Sequence, residues 1–282
     1  MNVLPLAPPA PTGRPWLPVA AVGVVLAVLA VVAFVVLGGP SGPASADAAT
    51  IVRATSNRAA SVGSSSLSMD MTISVSGHTI HATGVGGFDY RHRTGSFSLT
   101  MPGIGSMEEV VTKRAMYIRM PDALAGELGG RPWMELRFSA MKSAGVDMSK
   151  LMSANPGGDP VTMLRILSNV RNVQQDGTED VRGVHTNRYS VDATMRDMMR
   201  AEGLGQSVDL SKMPPGFADS RLHMVVSVDK TGLPRRMRVS MDLAGMGSMD
   251  MTMDLFDFGA RIDVTVPPKS IVTDISRMAA RS

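Results

Sequence analysis

The sequence predicts an α+β protein: an antiparallel sheet of about ten strands that curls, is covered by a few helices and follows one transmembrane helix. Three observations lead to this prediction. Residues 16–37 form an uncharged apolar run of 22 residues. Many later segments alternate apolar and polar residues, which is typical of strands with one buried face. The chain has no Cys, so its exported part must be held together by its core.

The apolar run at residues 16–37 is long enough to cross a hydrocarbon core of ~30 Å as a helix. Arg14 is the only charged side chain before it and Asp47 is the first after it. The positive-inside tendency therefore predicts a cytoplasmic N-terminus, a cytoplasmic-membrane anchor and an extracytoplasmic C-terminal domain. Alternatively, Ala44-Ser45-Ala46 fits a signal-peptidase site, and cleavage after Ala46 would release the domain as a secreted protein.

The predicted organisation has four parts. They are a Pro-rich cytoplasmic tail at 1–15, the transmembrane or signal segment at 16–37, a flexible linker at 38–47 and one domain at 48–282.

Composition excludes several kinds of site. Without Cys the domain has no disulfide, no thiolate metal site and no cysteine nucleophile. The net charge of +3 comes from interspersed acidic and basic residues, which gives no case for a nucleic-acid partner. The chain has 24 Met against only seven Phe, three Tyr and two Trp, so its core is soft and adaptable.

The first half of the domain begins with a helix and continues as a meander. Apolar spacing predicts a short amphipathic helix from Ala48 to about Ser61, ended by Gly63. The period then changes to two residues, and Gly77 is predicted to form a hairpin turn. Strands are predicted at 69–75, 79–90, 94–101, 107–112, 115–120 and 132–136.

The second half alternates helices and strands. Asp159 and Pro160 begin a predicted helix that ends near Asn169, and Thr194 begins a second one that Gly203 and Gly205 stop. Between them, residues 170–191 hold two or three short strands that turn at 176–177 and 182–183. The last predicted strands are at 221–228, 233–242, 247–256 and 262–266, with a turn at 230–232.

The clearest strand separates an apolar face from a polar one. Met249, Met251 and Met253 alternate with polar residues, and a sheet of about ten strands cannot stay flat. Helices inserted mid-chain would cover the concave apolar face and leave a site for small hydrophobic ligands. The candidate cavity-lining residues are Met69, Met71, Ile73, Phe97, Leu99, Ile118, Met120, Met224, Val226, Met249, Met251 and Met253.

Other interpretations of these residues stay open. Each methionine could simply fill the core, and the domain could be an interaction or sensory module without a lipid. Thioethers also bind Cu(I), although the expected opposite orientations of His78 and His81, and of His223 and Met224, oppose a shared copper site. Asp250 and Asp254 lie about 13–14 Å apart on an extended strand, which disfavours a cation site. Common catalytic motifs are missing, and we expect no cofactor.

The order of several short motifs resembles the LppX/LprAFG group of actinobacterial lipoproteins, relatives of the LolA/LolB lipoprotein carriers. The resemblance covers about residues 48–274. Its motifs are GVGGFDY at 84–90, AMYIRMP at 115–121, RPWMEL at 131–136, Asp159-Pro160 with Leu164 and Leu167, GTEDVRGVHTNRY at 177–189 and VDKTGLP at 228–234.

The resemblance implies a strongly curved antiparallel half-barrel, closed by helices around an apolar cavity. It also implies a non-enzymatic carrier or chaperone for lipids or glycolipids in the cell envelope, with donor or acceptor envelope proteins as partners. One departure is plain, because those lipoproteins are anchored through an acylated Cys and this chain has none. The apolar run at 16–37 would replace that lipid anchor.

Overall fold

The structure, a computed structural model, describes residues 46–75, 77–121, 131–138, 173–194, 196–197, 216, 219–242 and 247–275. These residues form one helix, a 3₁₀ turn at Lys269–Ile271 and twelve strands. The helix is α1 (Ala46–Val62). The strands are β1 (Ser64–Val75), β2 (His78–Asp89), β3 (Thr94–Met101), β4 (Gly105–Val111), β5 (Ala115–Arg119), β6 (Trp133–Arg137), β7 (Gln174–Val181), β8 (Val184–Thr194), β9 (Arg221–Asp229), β10 (Pro234–Asp242), β11 (Gly247–Phe256) and β12 (Val272–Asp274).

All twelve strands belong to one curved, unclosed sheet. Its order is β12-β6-β5-β4-β3-β2-β1-β11-β10-β9-β8-β7, so β1 and β11 meet in the middle although they are far apart in sequence. Every neighbouring pair is antiparallel except β12 with β6, which is parallel. The prediction of a largely antiparallel sheet is confirmed, with twelve strands instead of about ten.

The sheet has an apolar inner face and a polar outer face. In β1 the side chains of Leu67, Met69, Met71 and Ile73 are buried, whereas Asp70 between them is exposed. Strand pairing carries this alternation across the sheet, since Met71 pairs directly with Met251 of β11. The inner face is therefore the main core, because side chains on alternate residues of a strand point to the same side.

The predicted helix at the start of the domain is confirmed as α1. Val52, Thr55 and Ala59 lie on one side of it and are buried, and Val52 belongs to the core formed by the inner face. Thr55 Oγ1 donates a hydrogen bond to the Ile51 carbonyl 2.9 Å away, so the buried hydroxyl is satisfied within the helix. Gly63, with φ +92°, follows the last helical residue and allows the chain to turn into β1.

Three predicted turns are confirmed, among them the turn at Gly77 between β1 and β2, and one is wrong. The turns at 182–183 and 230–232 join β7 to β8 and β9 to β10. The predicted turn at Asp176-Gly177 instead lies inside β7, where the pairing with β8 shifts register between Gln175 and Thr178. Gly177 has φ +74°, so its backbone conformation is used for a bulge that leaves the strand continuous.

After β11 the chain crosses the outer face of the sheet. Ser64 Oγ donates to the carbonyl of Ala260 over 2.5 Å. Further along, the Ile262 side chain lies against Gly87 of β2. Val264 then packs against a cluster on this face that contains Val110, Trp133 and Val272. The predicted strand at 262–266 is therefore wrong: these residues run across the strands, and the chain pairs only at β12.

Ion pairs join the strands on the other half of the outer face. Asp254 accepts hydrogen bonds from Arg236 Nε at 2.5 Å and Nη2 at 2.8 Å. Glu179 of β7 accepts from Arg238 Nη1 at 2.9 Å and Nη2 at 2.6 Å. Arg182, in the β7–β8 turn, lies 3.8 Å above the Phe256 ring and donates to Ser68 Oγ. The β7–β8 hairpin is thus fastened to the polar face of β1, β10 and β11.

Several predicted elements lie outside the described residues. They are the tail at 1–15, the segment at 16–37, residues 38–45 of the linker, the helix at 159–169 and most of the helix predicted from Thr194. The last two residues of the predicted linker, Ala46 and Asp47, belong to α1. At Thr194, the Oγ1 donates to Asp197 Oδ2 at 2.6 Å and accepts from the Asp197 N–H at 3.2 Å, an arrangement typical of a helix start. Among the residues that are described, no helix combines the length and apolarity needed to cross a membrane.

We predict that Asp229 is a main source of stability in the β9–β10 turn. Burial alone would raise the pKa of its carboxyl group, but hydrogen bonds from Thr231, the Leu233 N–H and Arg235 hold that pKa below the ordinary value. Asp229→Asn should lower the free energy of unfolding at pH 7 by about 1–3 kcal/mol. Because the folded-state pKa is depressed, this difference should shrink as the pH falls below about 4.

Thermal denaturation followed by circular dichroism measures this difference. The control is Asp263→Asn, since the ion pair of Asp263 with Arg261 is exposed and should contribute little. Equal melting temperatures for the Asp229→Asn and Asp263→Asn variants at pH 7 would contradict the assignment.

Candidate functional site

The twelve predicted cavity-lining residues all belong to one apolar cluster on the inner face. Phe97 is partly buried and the others are buried. Strand register explains how they come together, since Met69, Met71 and Ile73 of β1 pair in order with residues of β11. Their partners there are Met253, Met251 and Met249.

Methionines are concentrated at the centre of this face. Next to the Met71–Met251 pair, Met251 also pairs with Val239 of β10, and Val239 pairs with Met224 of β9. Neighbouring strands lie ~4.8 Å apart, so these side chains form a continuous row across four strands. Flexible thioethers of this kind can change rotamer to fit neighbours of different shape.

Among the described residues, most of this face is buried in one apolar cluster. A cavity of about 60 Å³ remains, and of the predicted residues Met69, Phe97 and Met253 border it. Small-molecule pockets usually measure ~300–1,000 Å³. The other predicted residues do not line this cavity, so a chain longer than the cavity could enter it only if flexible side chains moved.

Glycines on β2 and β3 shape the floor of this cavity. Gly84 and Gly86 lie under the Phe97 ring, and a methyl group on Gly86 would be 2.7 Å from Phe97 Cδ2. Similarly, a methyl group on Gly95 would be 2.5 Å from Cδ2 of Phe88. Without Cβ atoms below them, both rings can lie flat on the sheet, which covers backbone that glycine would otherwise leave bare.

Glu109 is the one carboxyl group that borders the cavity. It pairs with Phe97 on one side and Ile118 on the other, within a row of inward-facing residues. Its neighbour Glu108 points to the outer face, where it accepts a hydrogen bond of 2.7 Å from Arg119. Within the described part of the chain, the Glu109 carboxylate has no hydrogen-bond or ion-pair partner.

The environment of Glu109 disfavours its charged form. Desolvation by burial raises the pKa of this carboxyl group from 4.5 to about 7. Glu109 is not among the site residues that the sequence predicts. The signal was nevertheless present, because Glu109 alternates in phase with Met107 and Val111, whose side chains are buried.

A larger groove of about 670 Å³ lies where β8 and β10 end and β9 and β11 begin. Leu222 and Met241 contribute the edge of the apolar face to this groove. Its remaining lining is mostly polar, with four aspartates, one arginine and one histidine. Polar groups therefore adjoin the apolar face at this end of the sheet.

Among the described residues, the carboxylates and histidines considered for a metal site are not brought together. The Asp254 carboxylate forms an ion pair with Arg236, and Asp250 accepts a hydrogen bond of 2.6 Å from Ser240. His223 and Met224 point to opposite faces, because His223 bonds to Asp192 on the outer face whereas Met224 is in the core. Among the described residues, no group of three or more His, Asp or Glu side chains is arranged to hold a metal ion.

No protein-family model matches this sequence, and no curated protein is significantly similar to it. Solved structures do share similarity with it. Against LprF from Mycobacterium bovis, the identity is 15%, the TM-score is 0.44, and the match covers 80% of this chain and 99% of the other. The lipoprotein LppX from Mycobacterium tuberculosis is 14% identical with a TM-score of 0.46, and the match covers 77% of this chain and 98% of the other.

A LolA superfamily protein from Nitrosomonas europaea is a more distant match. It is 9% identical with a TM-score of 0.29, and the match covers 81% of this chain and 98% of the other. The functional evidence therefore comes from this chain's own side chains.

We predict that Gly84 and Phe97 depend on each other. A Cβ at Gly84 would overlap the tip of the Phe97 ring, so Gly84→Ala should lower the free energy of unfolding by about 1–3 kcal/mol. In a double-mutant cycle with Phe97→Ala, the combined loss should be smaller than the sum of the two single losses by about 1 kcal/mol. Thr83→Ala, on the outer face, is the control and should show additive behaviour with Phe97→Ala.

We predict that Glu109 makes stability fall as the pH rises. The folded protein binds the Glu109 proton more tightly than the unfolded chain, so stability is lost between about pH 4.5 and pH 7. Glu109→Gln removes this loss and should raise the free energy of unfolding at pH 8 by roughly 1–3 kcal/mol, with little effect at pH 4.5. Thermal denaturation at both pH values, with Glu108→Gln as the control, measures the effect. The prediction is wrong if the Glu109→Gln protein keeps the pH dependence of the wild type.

Proposed function

We propose that this protein is a non-enzymatic binding protein for hydrophobic ligands, and that its ligands are acyl lipids or glycolipids of the cell envelope. We further propose that residues 16–37 hold the domain at the outer side of the cytoplasmic membrane. In this role the protein receives or presents lipid close to the bilayer. If the chain is cut after Ala46, the same domain acts as a diffusing carrier.

The observation that carries the proposal is the methionine-rich inner face of the sheet. It is continuous across the central strands, with Met69, Met71, Met251, Met253 and Met224 among its buried members. A purely structural core would gain more specificity from branched and aromatic side chains, which have fewer rotamers. Methionine is instead typical of apolar surfaces that adapt to varied partners.

The energetics suit an exchanger of lipids. Burial of an acyl chain stabilises a complex by ~0.8 kcal/mol per CH₂ relative to water, but a lipid already in a membrane gains little from a second apolar environment. Opening the small cavity beside Phe97 and Met253 also costs packing. Uptake and release therefore lie near balance, which is the property that a carrier or presenter needs.

The groove at the ends of β8–β11 gives a position for a polar headgroup. Leu222 and Met241 lie beside its charged residues, so an amphiphilic ligand could place its chain on the apolar face and its head among polar groups. Within this proposal the chain is related to the LppX/LprAFG-type proteins, with a protein anchor in place of a lipid one. Donor or acceptor proteins of the envelope would be its partners.

Native mass spectrometry of the full chain, purified from membranes, tests the proposal. The wild type should carry one or a few acyl lipids that remain after the detergent is removed. Met253→Trp fills the cavity from β11 and should reduce this lipid at least tenfold, because tryptophan is bulkier than methionine. The same spectra give the intact mass and so report whether residues 1–46 are retained.

Thr252→Trp is the matched control for this experiment. Thr252 is the preceding residue of β11 and points to the outer face, so the variant should keep its lipid. Lipids that only surround an apolar N-terminal segment would be equal in both variants. A lipid-free wild type, or equal lipid in the Met253→Trp and Thr252→Trp proteins, would refute the proposed function.

A further inference from the structure

Glu109 is a charged residue type in a cavity that is otherwise mostly apolar. The cavity that it borders is otherwise lined by Leu67, Met69, Phe97, Val111 and Met253, together with Phe88, Ser96 and two glycines. Glu109 is half-buried in this cavity, and a carboxyl group in apolar surroundings lowers stability unless a donor satisfies it. A residue with a purely structural role at this position would be apolar, as its row neighbours Phe97 and Ile118 are.

The groups that face Glu109 supply no countercharge. Of the described cavity-lining residues on β1, β2, β3 and β11, none has a titratable side chain. On β5, Ile118 is the paired residue and is apolar. On β4 itself, Glu108 lies on the opposite face and is paired with Arg119. A partner for the Glu109 carboxylate must therefore come from outside this set.

We propose that the ligand supplies that partner: Glu109 accepts a hydrogen bond from a donor group of the bound amphiphile, an amine or a hydroxyl next to its alkyl chain. This inference rests on the proposed function and narrows its ligand class. An ammonium group forms the stronger bond, because it is both a donor and a countercharge. An amphiphile that brings a carboxylate or phosphate to this position would meet a second negative charge and would bind less well.

Such a ligand would have to enlarge the cavity of about 60 Å³. An alkyl chain would displace the side chains of Met69 and Met253, while the ring of Phe97 and its glycine floor form one wall. The donor would then lie at the level of β4, where the Glu109 carboxyl group faces the cavity. Recognition would therefore combine a tolerant apolar surface with one fixed polar contact, as is usual in ligand pockets.

Three probes with the same chain length test this inference: dodecylamine, dodecan-1-ol and dodecanoate, each below its micellar concentration. They are titrated into the full chain held in lipid nanodiscs, with empty nanodiscs as the blank, at pH 8. The wild type should bind the amine most tightly and dodecanoate least tightly, with about tenfold or more between these two. Glu109→Gln should abolish this order, whereas Glu108→Gln should keep it.

A second measurement on the wild type does not depend on the folding of any variant. Affinity for dodecylamine should rise several-fold between pH 6 and pH 8, because Glu109 loses its proton over this range while the amine stays charged. No change in amine affinity over this range would overturn the inference.

The outcomes separate this inference from the proposed function. If the wild type binds all three probes and Glu109→Gln binds them equally well, the contact with Glu109 is refuted while lipid binding stands. If the wild type binds none of the probes, the proposed function fails and the inference fails with it.

Discussion

The pairing of β1 with β11 and β2 is the constraint on which the rest of the sheet depends. Residues from Ser66 to Val75 pair with β11, and residues from Ser64 to Val75 pair with β2, without a shift in register. Because side chains alternate with a period of two, a slip by one residue would turn Met251 outward and Thr252 inward. The outer face reinforces the register, since Arg236 and Asp254 are direct cross-strand partners as well as an ion pair. Apolar burial and ionic pairing thus favour the same alignment.

Most of the fold could be predicted because this alternation is visible in the sequence. The methionine pattern of β11 and the turns at Gly77 and 230–232 identify elements that the structure contains. The alternation at 262–266 misled the prediction, since Ile262 and Val264 are placed on the outer face by a crossing segment with no strand beside it. The predicted turn at Gly177 is wrong for a related reason, because a glycine with positive φ can form a β-bulge as well as a turn. In both cases the deciding contacts are distant in sequence.

The candidate site was predicted at the level of a face but not of a cavity. Periodicity assigns Met69 and Met253 to the inner face, yet it cannot tell which inward side chains border empty space, because that depends on how neighbours fill volume. The flat Phe97 ring depends on glycines of the neighbouring strand, a relation between residues that are not adjacent in the chain. Glu109 could be predicted as a site residue, because a charged residue in phase with apolar ones is visible in the sequence. A strand is predicted from the majority of its residues, so one charged residue in an apolar row does not change the prediction.

The two edges of the sheet limit how this protein can meet others. β12 has only three residues, and β7 begins with five exposed ones and is interrupted by its bulge. Short, polar and irregular edges are poor templates for another strand, so they oppose both fibril-like stacking and the capture of extended peptides by main-chain hydrogen bonding. Any partner that docks on the described part of the chain must therefore bind through side-chain contacts and not through main-chain pairing at a sheet edge. In the described part of the chain, the inner face can therefore stay adaptable without the sheet edges becoming templates for other strands.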